Sequence, residues 1–150
     1  MVNDFKEGSE LFTHEIAGEK ISPIICYEII NDGLVREASK ESGALIVQTN
    51  SATFANTAQS SQQLAISRIR AIEHAREILS VSTVGISAFI DNNGAVKQAT
   101  DENISTSISG NLYLAKYQTI AVRLGGVAPL LTLLISLFAA LLKNRRVSLR

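Results

Sequence analysis

Leu124 to Leu142 is nineteen consecutive residues without a charged side chain, and no other segment limits the possible folds as much. At about 1.5 Å per residue it makes a helix of roughly 29 Å, close to the hydrocarbon thickness of a bilayer. A 150-residue chain has little room to enclose a helix that is apolar on every face. The run therefore predicts a transmembrane helix over 122–142. Pro129 falls in its first turns, where the missing N–H costs least.

The formal net charge of zero hides an asymmetry. Beyond Leu142 stand Lys143, Arg145, Arg146 and Arg150 with no acid, so the tail at 143–150 carries +4 and the preceding residues −4. Basic residues stay on the cytoplasmic side of a membrane, which places the tail in the cytoplasm and the folded part on the outer side. Four cations abutting an apolar span fit a membrane anchor better than a nucleic-acid patch. The chain opens on the polar stretch Met1-Val-Asn-Asp-Phe-Lys-Glu7, which offers no leader to export that folded part. The expectation is a piece of a longer membrane protein. One cysteine, Cys26, excludes an internal disulfide.

Between these ends the pattern is α/β. Ile21–Ile25 reads as a buried strand, 32–42 as a helix with Asn31 or Asp32 as N-cap and Gly43 at its C-terminal end, and Ala44–Gln48 as a second buried strand. Strand, helix and strand at this spacing form a parallel βαβ unit with a right-handed crossover. Cys26 and the polar loop 49–57 then open on one sheet edge, where α/β proteins place their sites. Residues 58–78 read as the strongest helix, with Ala65, Ile69, Ile72, Ala75 and Leu79 on its core face and Arg68, Arg70, Glu73, Arg76 and Glu77 solvated. Glu73 is placed to pair with Arg70 and Arg76 at a spacing of three. Strands follow at 79–83, 86–90 and 95–99, with Asp91-Asn-Asn-Gly94 as a hairpin turn, and 105–114 as an edge strand.

Cys26 ends the first of these strands, in Ile21-Ser-Pro-Ile-Ile-Cys-Tyr-Glu28. A free cysteine there packs as a small hydrophobe or acts as a nucleophile on a strand-to-helix turn, and the local pattern leaves both open. As a nucleophile it needs activation and oxyanion donors. The Tyr27 N–H supplies one donor, and Glu28 accepts a proton, orients a partner or caps the next turn. His14 and His74 read as surface residues. No His/Cys pair has metal-ligand spacing and no Gly-rich phosphate loop is present, so neither metal nor cofactor is implied.

Ile25-Cys-Tyr-Glu28, Gly43-Ala-Leu-Ile-Val47, Thr49-Asn-Ser-Ala-Thr-Phe54, Gln63-Leu-Ala-Ile-Ser-Arg-Ile-Arg-Ala-Ile-Glu73, Thr83-Val-Gly-Ile-Ser87 and Asp91-Asn-Asn-Gly94 stand in this order along the chain. The series resembles the nitrilase (carbon–nitrogen hydrolase) superfamily. With an apolar run and a basic tail directly behind, it is similar to the C-terminal portion of the apolipoprotein N-acyltransferases, over about residues 5 to 146.

That resemblance implies an α-β-β-α sandwich, of which 1–121 form a part, set on membrane helices at the outer side of a bacterial cytoplasmic membrane. It implies an enzyme in which Cys26 takes an acyl chain from a phospholipid as a thioester. The chain then passes to the N-terminal amine of an apolipoprotein. Glu28 matches a supporting carboxylate, and Asn50 and Phe54 fall in the loop at the mouth of the site, as substrate-binding residues. The loop departs from the usual Ser-Asn-Asp-Ala-Trp-Phe, with Ser51 and Thr53 in place of the acid and the aromatic. The family's catalytic Glu and Lys precede the cysteine motif, and Lys6, Glu7, Glu10, Glu15 and Lys20 do not match their contexts. The expectation is a split or truncated piece of such an enzyme, inactive alone, with a separately encoded N-terminal half as a candidate partner that a non-catalytic half would complement. A membrane-tethered amidase and a non-catalytic remnant are the other readings.

Overall fold

The structure, a computed structural model, describes Gly8 and residues 10–147. Lys6, Glu7 and the last three residues of the basic tail lie outside the described residues. Six strands form one sheet in sequence order: β1 (His14–Ile16), β2 (Glu19–Ile25), β3 (Ala44–Thr49), β4 (Glu77–Ser82), β5 (Ala88–Ile90) and β6 (Val96–Ala99). β2, β3 and β4 are parallel; β1, β5 and β6 extend the sheet antiparallel at its two sides. α1 (Asp32–Glu41) links β2 to β3, and α2 (Gln59–His74) links β3 to β4. The expected βαβ unit is thus present twice. α1 starts at the expected cap, where Asn31 Oδ1 accepts the Leu34 N–H at 3.1 Å.

The period of two along the strands decides which residues face the helices. Ile24, Leu45, Val47, Ile78, Ala88 and Ile90 pack with Val35 and Ala38 of α1 and Ala71 of α2 into one core. The alternate residues make a second apolar face, on which Ile25 is 61 % and Val81 42 % exposed and Ile21, Pro23, Ile46 and Leu79 are half-buried. Four sandwich layers were implied; the described residues form two, one sheet and one helical layer. At Phe89, 6 % exposed, Gly110 already packs against this face; its uncovered part, toward Ile25 and Val81, is where a further layer would lie.

One sheet and one helical layer are the part of the sandwich expected of this chain; three expectations are corrected. Residues 105–114 form no strand: the segment crosses as an irregular strap, fixed where Glu77 accepts the Tyr113 N–H at 2.7 Å and Gly43 C=O accepts the Ala115 N–H at 3.0 Å. α2 stops at His74 rather than 78, because Ala75 turns left-handed (φ 47°, ψ 45°) and releases the chain into β4.

The transmembrane helix expected over 122–142 is not found. Among the described residues no helix is long and apolar enough to cross a membrane. Gly125 (φ +50°) ends a short helix, α3 (Ile120–Leu124), and α4 (Val127–Val147) begins only after it. The uncharged part of α4, Val127 to Leu142, is then roughly 24 Å long against a hydrocarbon core of about 30 Å. The helix runs on through Lys143, Arg145 and Arg146 instead of ending before a free tail.

Candidate active site

β2 ends at Ile25, and the chain turns at once into a single 3-10 helix, Cys26–Ile30. Cys26 makes this turn with φ +49°, left-handed backbone that side-chain-bearing residues adopt at a cost of about 1–3 kcal/mol. Its thiol is free and half-buried. Register pairs Ile25 with Gln48 and Gln48 with Val81, so Cys26 and the loop after β3 share the carboxyl edge of the parallel strands, as expected. A strained residue at that edge is how a strand-to-helix turn exposes a nucleophile.

Each end of the turn is tied down. The Ile25 N–H donates to Glu28 Oε2 at 2.7 Å, so Glu28 reaches back and caps the turn. The Cys26 carbonyl accepts from Gln63 Nε2 at 3.0 Å, and Gln63 also reaches Thr49 Oγ1 at 3.4 Å. Arg70 donates to the carbonyls of Ile29 and Ile30, both at 2.9 Å, and its remaining N–H groups go to Asp32 and to Glu73 Oε2. Burial works against the Arg70 cation, but its hydrogen bonds to Glu73 and Asp32 outweigh that and hold it above the usual arginine range. The Tyr27 N–H lies in the first turn of the short helix, where backbone donors have no intrahelical acceptor. The Tyr27 ring is 57 % exposed.

Asn50 stands across the edge. Its Oδ1 accepts from the Ala52 N–H at 3.2 Å and from Thr83 Oγ1 at 3.0 Å, so its NH₂ is the half of the amide these two bonds do not use. Ser51, where the family pattern has an acid, is buried and shares a 2.7 Å hydrogen bond with Ser82 Oγ. Phe54 is on a 3-10 turn (Ala52–Phe54) and 44 % exposed. Cys26, Tyr27, Glu28 and Asn50 are thus gathered at one edge, with Phe54 on the same loop as Asn50.

Sequence reasoning missed the residues behind them. Ala65, Ile69 and Ile72, expected in the core, are exposed, Ile69 at 61 %. The buried positions of α2 are mostly polar instead, Ser60, Gln63, Ser67, Arg70 and His74, with Ala71 the apolar one that reaches the core. His74, expected at the surface, is buried with neither ring nitrogen hydrogen-bonded; Nε2 lies 3.6 Å from Glu73 Oε2, yet desolvation outweighs that carboxylate and holds the pKa below the ordinary histidine value. Arg76, expected to pair with Glu73 in solvent, is 2 % exposed and donates to the carbonyls of Ser39, Ser42 and Tyr117. His14 is exposed, as expected. The available signal was the spacing of three, four, three and four between those five polar residues of α2, which is a helix's buried stripe.

Two other features lie apart from Cys26. Glu77 and Lys97 form a carboxylate–ammonium pair at 2.7 Å, but Glu77 is level with Ala44 and Ile21. Five residues of strand, about 16 Å, separate it from the Cys26 edge. A cavity of about 480 Å³ sits where α1, the end of α2 and the α3–α4 junction meet, and Cys26 does not line it. Among the described residues no cluster of side chains is arranged to hold a metal.

Residues 4–121 match the carbon-nitrogen hydrolase family. The apolipoprotein N-acyltransferase of Pasteurella multocida is 28 % identical over 147 residues, covering 94 % of this chain and 28 % of that protein. That of Mycolicibacterium smegmatis is 45 % identical over 80 residues, 52 % of this chain and 13 % of that protein. The chain therefore spans less than a third of the length of these relatives. Among solved structures, Saccharomyces cerevisiae Nit3, a nitrilase-superfamily member, superposes with a TM-score of 0.59 at 18 % identity, over 67 % of this chain and 40 % of that one. An amidase from Nesterenkonia sp. gives 0.52 at 18 %, over 65 % and 40 %. Because the match runs through the cysteine turn, the mouth loop and α2 alike, the chain belongs to the carbon–nitrogen hydrolase family.

Proposed function

We propose that this chain carries the nucleophile and mouth of an apolipoprotein N-acyltransferase site. The observation that supports it most is the left-handed Cys26 at the sheet edge, its carbonyl held by Gln63 and the Asn50 loop beside it. In this reading the Cys26 thiolate attacks the ester carbonyl carbon of a phospholipid. The tetrahedral oxyanion takes a hydrogen bond from the Tyr27 N–H and, from across the edge, from the Asn50 NH₂. The C–O bond then breaks, the lysophospholipid oxygen leaves with a proton, and a thioester remains on Sγ. The α-amine of an apolipoprotein's N-terminal cysteine attacks that thioester. The C–S bond breaks, the amine gives up a proton, and an amide forms with the thiolate restored.

Both steps move a proton, and Glu28 serves them as a supporting carboxylate that fixes the turn, since Ile25 N–H already occupies it. The general base and the oxyanion-facing cation come, in this proposal, from a partner layer seated on the uncovered sheet face beside Ile25 and Val81. Leu130, Leu133, Ile135, Leu137 and Phe138 of α4 are all more than half exposed, so the helix lodges in lipid and brings the site to both substrates.

The polar replacement Thr53, exposed on the loop after β3, favours a second reading, a tethered amidase for small amides; Ser51 is buried against Ser82 and does not add to it. Thioester trapping separates the two. The full chain is co-expressed with a polypeptide bearing the family's Glu and Lys motifs and incubated with acyl-labelled phospholipid. Hydroxylamine-labile label on Cys26, absent in Cys26→Ala and absent without the partner, supports acyl transfer. Adducts from small amides alone support the amidase, and label in neither case overturns both.

A further inference from the structure

We propose that Gln63 and Arg70 of α2 are positioning residues that hold the Cys26 turn in its left-handed form, an inference that rests on Cys26 being the nucleophile. A cysteine released at φ +49° relaxes to negative φ, since that backbone costs it about 1–3 kcal/mol. The relaxation rotates the Cα–Cβ bond and carries Sγ away from the position the turn sets. The strain persists only if the surroundings over-determine it.

The structure contains such surroundings on the helix side. Gln63 and Arg70 are seven residues apart, two turns of α2, and so point the same way. Gln63 takes the carbonyl of Cys26, at the start of the turn, and Arg70 those of Ile29 and Ile30, at its end. Both residues are buried, at 7 % and 9 % exposure. The Arg70 fork is itself locked by Asp32 and Glu73, so it has no freedom to follow a relaxing turn. Gln63 further couples the turn to Thr49, next to Asn50. The thiol and the mouth loop therefore answer to one side chain.

Cys26 is the single cysteine of the chain, which lets its reactivity be read without substrate. The test is the rate of alkylation by iodoacetamide as a function of pH. The full chain is used in detergent micelles and followed by intact mass, with urea unfolding run on the same samples. Gln63→Met keeps length and helix propensity and removes the donor. It is expected to alter the rate by about fivefold, the factor one neutral hydrogen bond of ordinary net strength supports, and to displace the midpoint of the pH profile. Arg70→Lys keeps the charge without the fork and is expected to displace the profile less. Ile69→Ala, on the exposed side of α2, is expected to leave rate and profile unchanged.

A folded Gln63→Met with the wild-type profile and a rate within about twofold of wild type overturns the proposal, whatever its stability. If Gln63→Met does not fold, Gln63→Leu, which also lacks a donor, carries the same comparison. Absence of phospholipid label from the co-expressed wild type defeats the acyl-transfer reading instead, and leaves the alkylation comparison intact.

Discussion

Replacing Arg76 by methionine tests whether a buried cation without a carboxylate partner holds the two layers together. Arg76 is 2 % exposed, and among the described residues no acid pairs with it. Its guanidinium donates to Ser39 C=O at 2.7 Å, Ser42 C=O at 2.8 Å and Tyr117 C=O at 2.7 Å. The first two are among the last carbonyls of α1, which no intrahelical N–H reaches, and the third belongs to the strap. Three charge-assisted bonds at about 1.5–3 kcal/mol each give roughly 5–9 kcal/mol gross. Removing the cation also returns its desolvation cost, several kcal/mol for a buried ion, so the net loss expected is about 3 kcal/mol. With an m-value of about 1.5 kcal/mol/M, the urea midpoint followed by far-UV circular dichroism drops by roughly 2 M at unchanged slope. Arg76→Lys recovers less than half, because a point charge serves one carbonyl well and cannot fork to three. The strap, having lost its Tyr117 tie, is cut faster by protease in both variants. An Arg76→Met midpoint within about 0.3 M of wild type refutes the reasoning, since water would then serve those carbonyls as well as the guanidinium does.

Other consequences follow from the same residues. Burial depresses the His74 pKa, so the folded state stays neutral while the unfolded chain takes up a proton below about pH 6.5. Stability is therefore fully present above that pH and falls as pH drops through it, and in His74→Leu urea midpoints across about pH 5 to 7 show a shallower slope. Lys97→Met leaves the buried Glu77 carboxylate with the Tyr113 N–H but no cation, and the expected loss is about 2 kcal/mol by thermal melting, discounted because Lys97 is itself partly exposed. Ile69→Ser changes stability by less than about 0.5 kcal/mol, whereas Ala71→Leu, at a fully buried position of the same helix, costs about 1–3 kcal/mol in urea unfolding.

The last pair of substitutions measures what could not be read from residue types. Strands and turns were legible because their signals are local. Ile21 to Ile25 and Ala44 to Gln48 are short apolar runs, and Asp91 to Gly94 is a turn in which Gly94 adopts φ +76° and Asp91 Oδ1 accepts two backbone N–H groups. The placement of Cys26 at the end of β2, opposite the Asn50 loop, follows from those runs and from parallel pairing. α2 failed for the opposite reason. A periodicity argument assigns the core to the apolar stripe, yet the acceptors that bury Arg70 and Arg76 lie 34 to 41 residues away in sequence, in segments whose position only the fold decides.

Why the polar stripe won over the apolar one is itself a physical question. Two sets of backbone carbonyls take donors from α2 and the residues just past it: those of the Cys26–Ile30 turn and those closing α1. An apolar face laid on them would orphan each carbonyl at about 1–3 kcal/mol, more than burying Ile69 and Ile72 returns. Gln63, Arg70 and, just past the helix, Arg76 bring long side chains with terminal donors to those carbonyls. The isoleucines are left outside, at 61 % and 57 % exposure. The strained turn at Cys26 was hidden by the same logic. A non-glycine residue carries no sequence mark of a positive φ, and the turn exists because donors two helical turns apart on α2 keep it there.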